Sequence, residues 1–164
     1  MFKKLIITLG AFGLLTSLNS AYSDDTATLY LAGEVELISN LVVTPTADAT
    51  SLLDIVNGEN NRPIAQIEET SNNANGYTIF LESANSGQLR NPATGSTPVD
   101  YDIQYGSETP AQPGAPGSPV NIKTVSALTG LTTTTEPVTI TFSGSSSAVA
   151  GAYTDTLVFV MDAL

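Results

Sequence analysis

Hydrophobic and polar residues alternate with a period of two along most of this chain. Residues 29–38 and 64–68 show it clearly, in segments rich in Thr, Val, Ile, Leu, Tyr and Phe. This pattern is typical of β-strands, and no later stretch keeps apolar residues at helical spacing for three turns. The pattern therefore predicts eight or nine short strands with no helix between them. The other predicted strands are 41–44, 52–56, 77–82, 99–105, 120–125, 138–142 and 153–161.

Turn signals separate these strands. Asn75-Gly76 predicts a tight hairpin, because both residue types tolerate positive φ. Residues 108–119 contain four prolines and two glycines, which predicts a loop, and residues 143–147 form a second Ser/Gly-rich loop. Many short strands joined in this way predict an all-β fold, an antiparallel β-sandwich.

The first 23 residues have the three parts of a secretory signal peptide. Lys3 and Lys4 precede an apolar run over residues 5–15, and small residues, Ala21 and Ser23, stand before Asp24. The alternative is an N-terminal helix of the folded domain. The run is too short for a membrane anchor, and no later stretch is long enough for one. We therefore expect an exported protein without a membrane span, with a signal peptide at 1–23, an alternating segment at 24–38 and one β-sandwich domain at 39–164.

Composition excludes several function classes. The 164-residue chain contains no Cys, His or Trp, so it lacks a thiolate nucleophile, a Ser-His triad, a zinc finger and imidazole metal ligands. Sixteen acidic residues against five basic ones give a net charge of −11, and nucleic acid needs a basic face. We expect no nucleic-acid partner and no cofactor.

Carboxylates are the remaining source of acid–base chemistry. The candidate pairs are Glu34/Glu36, Glu68/Glu69 and Asp100/Asp102. Catalysis needs one carboxyl in an apolar pocket, whereas the members of each pair are close in sequence and are expected on exposed strand faces. No Gly-x-Ser-x-Gly or Ser-x-x-Lys motif occurs, and a calcium site at Asp100/Asp102 lacks further oxygen ligands. The sequence predicts that the protein is not an enzyme and has no metal site.

The first alternating segment is the strongest candidate for a functional element. Its apolar face would carry Leu29, Leu31, Gly33, Val35 and Leu37. It is either an ordinary first strand, with the glycine at a bulge or a close approach, or a free peptide that adds a strand to another subunit. In the second case backbone hydrogen bonds provide affinity and the alternate side chains set the register.

Two stretches carry a resemblance to a known family. Residues 72–85, Asn-Asn-Ala-Asn-Gly-Tyr-Thr-Ile-Phe-Leu-Glu-Ser-Ala-Asn, with Gly87 and Leu89, resemble the NGY-T-x-x-L-x-S-A-N stretch of exported bacterial pilin-like proteins. Residues 150–161, Ala-Gly-Ala-Tyr-Thr-Asp-Thr-Leu-Val-Phe-Val-Met, resemble the AGxYxDTLxxxx terminal strand of the spore coat U and archaic chaperone-usher pilin family.

The resemblance implies an incomplete immunoglobulin-like sandwich that a neighbour's N-terminal strand completes. A periplasmic chaperone would cap the groove, and an outer-membrane usher would direct self-polymerisation into a cell-surface fimbria for adhesion or biofilm formation. Leu29, Leu31, Gly33, Val35 and Leu37 would be the donor side chains. The edge of the acceptor groove would carry Tyr153, Leu157, Phe159 and Met161.

One feature departs from that family. Its members commonly carry a disulfide early in the domain, and this chain has no Cys. The alternative is a monomeric β-sandwich, secreted or periplasmic, that completes its own sheet and recognises a glycan or surface ligand through the loop at residues 107–119. In such a module the first strand would already be paired.

Overall fold

The computed structural model describes residues 27–51 and 53–164, so the predicted signal peptide lies outside the described residues. The described chain is almost entirely β-structure, which confirms the predicted all-β class. Its elements are β1 (Ser39–Pro45), α1 (Asp48–Ser51), β2 (Gly58–Ser71), β3 (Gly76–Ser83), β4 (Gln88–Leu89), β5 (Val99–Asp100), β6 (Asp102–Tyr105), β7 (Val120–Ser126), β8 (Thr132–Ser143) and β9 (Leu157–Ala163).

Two antiparallel sheets form the sandwich. The first has the strand order β1-β2-β8-β6, the second has the order β7-β3-β9, and β4 and β5 form a small separate pair. Alternate residues of each strand point inward, as the period of two predicts. These inward residues merge into one buried cluster between the sheets. It includes Ile67, Ile103, Val138 and Ile140 from the first sheet and Ile79, Leu81 and Ile122 from the second.

The hairpin predicted at Asn75-Gly76 is wrong. β2 pairs with β1 and β8, whereas β3 pairs with β7 and β9, so residues 72–75 cross from one sheet to the other. Gly76 has φ of 89°, and its amide donates to the Asn73 carbonyl at 2.9 Å. An added Cβ on Gly76 would lie 1.9 Å from the Val125 carbonyl oxygen. Residues 73–76 do form a turn, but a crossing between sheets uses the same turn chemistry as a hairpin.

The strand predicted at residues 52–56 is also wrong over residues 53–56, the part that the structure describes. Residues 55–57 form a turn, closed by the Asp54 carboxylate, which accepts hydrogen bonds from the amides of Val56 and Asn57 at 3.1 and 3.0 Å. Leu53 and Ile55 still pack against the core, which accounts for their apolar character without a strand. The Asn57 side chain and these amides lower the pKa of Asp54.

The predicted strand at 99–105 is two strands with different partners. β5 pairs with β4, and β6 pairs with β8 in the first sheet. Tyr101 lies between them, with its side chain buried. The alternation of buried and exposed residues continues through this change of partner, so the sequence pattern alone could not show it.

Candidate functional site

An open groove lies between the end of β1 and the start of β9, which are the edge strands on one side of the sandwich and have some Cα atoms within 8 Å of each other. Among the described residues β1 pairs only with β2, and β9 pairs only with β3. The groove has a volume of about 440 Å³. Its lining is mostly apolar, with Val43 and Pro45 from the end of β1, Leu53 from the following segment, and Leu157 and Phe159 from β9. The groove therefore combines an apolar floor with two unpaired strand edges.

The open groove leaves an inward-facing side chain of β1 exposed, as a comparison of Val42 and Val43 shows. Both valines are 44% exposed, but they point to opposite faces of the strand. Val43 lines the groove, whereas Val42 lies opposite the exposed Glu68 on the outer face. An inward-facing valine in a closed sandwich would be buried. The exposure of Val43 therefore reflects the open edge of β1, where the described residues place no second strand.

The four residues predicted at the groove edge are divided by the structure. Leu157, Phe159 and Met161 lie on the inward face of β9 and pack against the core. Leu157 and Phe159 line the groove, and Met161 lies farther along, opposite Ile79. Tyr153 precedes β9, where its hydroxyl accepts hydrogen bonds from the Val149 amide and the Ser96 hydroxyl at 3.1 and 3.3 Å, and it is outside the groove lining.

The predicted donor residues lie in residues 27–38, which contain no strand in this structure. Their large apolar side chains are strongly exposed: Leu29 is 76%, Leu31 81%, Val35 86% and Leu37 60% accessible. A Cβ placed on Gly33 would meet no atom within 4 Å. Exposed aliphatic side chains at alternate positions are costly in water unless another surface covers them.

The opposite side of the sandwich is closed by the loop between β6 and β7. Ala111 exchanges two backbone hydrogen bonds of 2.9 Å with Ile103 on β6. Gly114 bonds to the backbone of Leu81 and Ser83 on β3, at 3.2 and 2.9 Å. This loop, which was the predicted ligand-binding loop of the alternative function, therefore joins the two sheets through its backbone.

A polar pair lies within the apolar groove. The Tyr101 hydroxyl donates to the Asp155 carboxylate at 2.7 Å, and that carboxylate also accepts from the Asn85 amide at 3.0 Å. Both side chains line the groove. Burial, with Asp155 as a hydrogen-bonding and charged neighbour, raises the pKa of Tyr101 well above its usual range. These bonds connect Asp155, in the loop before β9, to Asn85 after β3 and to Tyr101 between β5 and β6.

Glu69 is a buried carboxylate, so the expectation that Glu68 and Glu69 both lie on exposed strand faces is wrong for Glu69. It is 1% exposed and accepts hydrogen bonds from the hydroxyls of Tyr77 and Tyr105 at 2.5 and 2.6 Å. Lys123 lies 2.9 Å from Glu69 and 2.9 Å from Glu136. β2 continues to Ser71, beyond the predicted strand at 64–68, and its alternation places Ile67, Glu69 and Ser71 on the buried face. Glu68 is on the other face, and the two acids do not form a pair.

The protonation of this cluster follows from burial and charge. Burial, followed by the hydrogen bond and charge of Glu69, raises the pKa of Tyr77 and of Tyr105. Burial by itself lowers the pKa of Lys123, but its hydrogen bonds to Glu69 and Glu136 outweigh this, so the pKa of Lys123 is raised. The lysine therefore stays charged between two carboxylates, and the tyrosines stay neutral donors. This arrangement joins the sheets and offers no free base.

Within residues 27–51 and 53–164, no group of three or more acidic side chains is placed to hold a metal ion. No helix in the same residues is long and apolar enough to cross a bilayer. No protein-family model and no curated protein matches this chain. A second cavity, of about 730 Å³, is more polar, and its lining includes Asp100, Asp102 and Gln112. The groove between β1 and β9 is the apolar candidate site.

Proposed function

We propose that this protein is the structural subunit of a bacterial surface fibre. Copies would polymerise by donor-strand complementation, in which residues 27–38 of one copy fill the groove of the next. The fibre would serve adhesion or biofilm formation, and a periplasmic chaperone and an outer-membrane usher would assist its assembly after export. The observation that carries the proposal is the presence, in one chain, of an open apolar groove and an exposed alternating apolar segment.

The two surfaces are complementary in chemistry. The edges of β1 and β9 offer backbone groups for a ladder with an added strand, and the groove offers apolar cover for alternate side chains. Glu34 and Glu36 alternate with the apolar residues and would stay on the solvent side. Burying several exposed aliphatic side chains would contribute roughly 1.5–3 kcal/mol each before the entropy of ordering is subtracted.

The lengths also agree. Residues 27–38, fully extended, span roughly 40 Å, whereas the seven residues of β9 span roughly 23 Å. The segment can therefore cover the whole edge of β9 and leave several residues as a connection to its own domain.

Val42 and Val43 offer a matched test of the groove. We expect Val43→Glu to abolish polymerisation, because it places a charge in the apolar groove, while Val42→Glu, equally exposed on the other face, leaves polymer yield unchanged. Assembly is measured on material sheared from cells, by comparing boiled and unboiled samples on SDS gels. A ladder of SDS-resistant multimers that collapses to one band on boiling is the expected wild-type result.

Removal of the donor segment completes the test. A variant lacking residues 24–38 should not polymerise but should bind a peptide of that sequence and gain stability from it. A single monomer band for the wild type, in both boiled and unboiled lanes, would instead favour a monomeric binding module. Equal assembly by the Val42→Glu and Val43→Glu variants would exclude the groove as the acceptor.

A further inference from the structure

Asn72 holds the point at which the N-terminal segment meets the sandwich. Its side-chain oxygen accepts a hydrogen bond from the Ile38 amide at 2.7 Å, and its side-chain amide donates to the Glu36 carbonyl at 2.8 Å. Its backbone amide donates to the Ile38 carbonyl at 3.2 Å. One residue thus binds three backbone groups of the chain just before β1.

These bonds extend the pairing of β1 with β2. The register pairs Ser39 with Ser71, so the bond between Asn72 and Ile38 continues the same antiparallel ladder by one residue. The chain from Glu36 to Ile38 therefore approaches Ser39 along the β2 side of β1. The groove lies on the other edge of β1, the edge that has no strand beside it among the described residues.

The turn that carries Asn72 is itself anchored. The Asn73 side-chain amide donates to the carbonyls of Gly76 and Leu164, each at 2.9 Å, and the Leu164 amide donates to the Gly76 carbonyl at 3.1 Å. Asn72 therefore lies in a turn that is hydrogen-bonded both to β3 and to the residue after β9.

The position of these bonds affects how the groove can be filled. To fill the groove of its own domain, the N-terminal segment would have to reverse direction immediately before Ser39 and lie against the free edge of β1. A reversal needs a turn of at least two residues, and a turn within residues 36–38 is the one that brings residues 29–32 alongside Val43 and Pro45, which line the groove. Such a turn would break the hydrogen bonds that Asn72 makes to Glu36 and Ile38.

We propose that Asn72 is a positioning residue that keeps the N-terminal segment out of the groove of its own domain, so that the groove accepts a second copy of this chain. This inference rests on the proposed donor-strand function. It adds a reason why the segment fills the groove of another copy and not the groove of its own domain. The N-terminal segment could fill its own groove or the groove of another copy. The three hydrogen bonds of Asn72 favour the state in which the segment stays outside its own groove.

The test compares Asn72→Ala with a matched control, Asn40→Ala, which removes an exposed asparagine from β1 nearby. We expect Asn72→Ala to raise the ratio of monomer to SDS-resistant multimer at least about fivefold, because two side-chain hydrogen bonds oppose self-completion. Hydrogen exchange on the isolated Asn72→Ala monomer should show protection of the amides in residues 27–35, because the segment then fills its own groove. Asn40→Ala should match the wild type.

Asn72→Asp provides a second variant in case the alanine variant folds poorly. It keeps an oxygen that accepts from the Ile38 amide but loses the donor to the Glu36 carbonyl, so we expect an intermediate ratio. Wild-type multimers with an unchanged ratio in both Asn72 variants would overturn the role of Asn72 and leave the proposed function standing. A wild type that forms only monomers would overturn the proposed function, and this inference with it.

Discussion

Tyr77 on β3 donates a 2.5 Å hydrogen bond to the carboxylate of Glu69 on β2, so a buried polar contact crosses from one sheet to the other. Lys123 on β7 makes the same crossing to Glu69 and to Glu136 on β8. The chain has no cysteine, so no disulfide can join the sheets. The Glu69 cluster provides a specific inter-sheet connection in addition to the hydrophobic core.

We expect the Glu69–Lys123 pair to be strongly coupled. Glu69→Gln should lower the free energy of unfolding by about 3 kcal/mol, because the two tyrosines and the buried lysine lose their charged partner. Lys123→Met should cost a similar amount, since it leaves the buried carboxylate uncompensated. Urea denaturation of the double variant should then show less than the sum of the two losses. Glu68→Gln, on the exposed face of the same strand, is the control and should change stability by less than about 0.5 kcal/mol. Additive losses would show that the pair is not coupled.

Stability should fall at alkaline pH. The pKa values of Tyr77, Tyr101, Tyr105 and Lys123 are raised in the folded protein, so these groups lose their protons first in the unfolded chain, near pH 10. Their contribution is therefore fully present below about pH 10 and is lost as pH rises toward the folded values. The urea midpoint, measured between pH 7 and 12, should show no effect of these groups up to about pH 10 and should fall above it. Phenolate absorbance near 295 nm should report the buried tyrosines only as the protein unfolds. A midpoint that stays level to pH 12 would contradict this assignment.

Gly33 separates folding from assembly. A Cβ at this position meets nothing within 4 Å, so Gly33→Phe should leave the stability of the monomer unchanged. If the segment fills the groove of another copy, the added ring overpacks a shallow point and should weaken complementation by roughly 1–3 kcal/mol. Binding of a 24–38 peptide to the truncated domain, with and without the substitution, measures this directly. Ala32→Phe is the control on the alternate face and should bind like the wild type. Equal binding by the Gly33 peptide would remove this residue from the interface.

The sequence pattern predicted the faces of the strands better than their neighbours. Tyr77, Ile79 and Leu81 share one face, as their spacing indicated, and that face is buried. Spacing along one strand cannot reveal which strand lies beside it, so the crossing that ends at Asn75-Gly76 has the same sequence signal as a hairpin. A strand also needs a partner. Residues 29–38 alternate as a strand would, but the single chain provides no ladder for most of them.

The candidate site shows the same division. The inward side chains of β9 could be predicted from alternation, but the groove depends on β1 and β9 being edges on the same side, which is a property of the sheet order. Glu69 lies on the buried face of β2, one residue beyond the predicted strand at 64–68. Its partner Lys123 lies 54 residues away in the chain, so no local pattern could have connected them.

The bonding of Lys123 also affects how the chain meets trypsin-like proteases, which cleave after lysine and arginine. Beyond Lys3 and Lys4, the basic residues are Arg62, Arg90 and Lys123. Arg62 precedes a proline, which such proteases cut poorly, and Arg90 exchanges two backbone hydrogen bonds with Thr154. Lys123 lies within β7 with its side chain only 12% exposed. Cleavage at these positions requires local opening first, so the folded domain should resist digestion in a protease-rich medium.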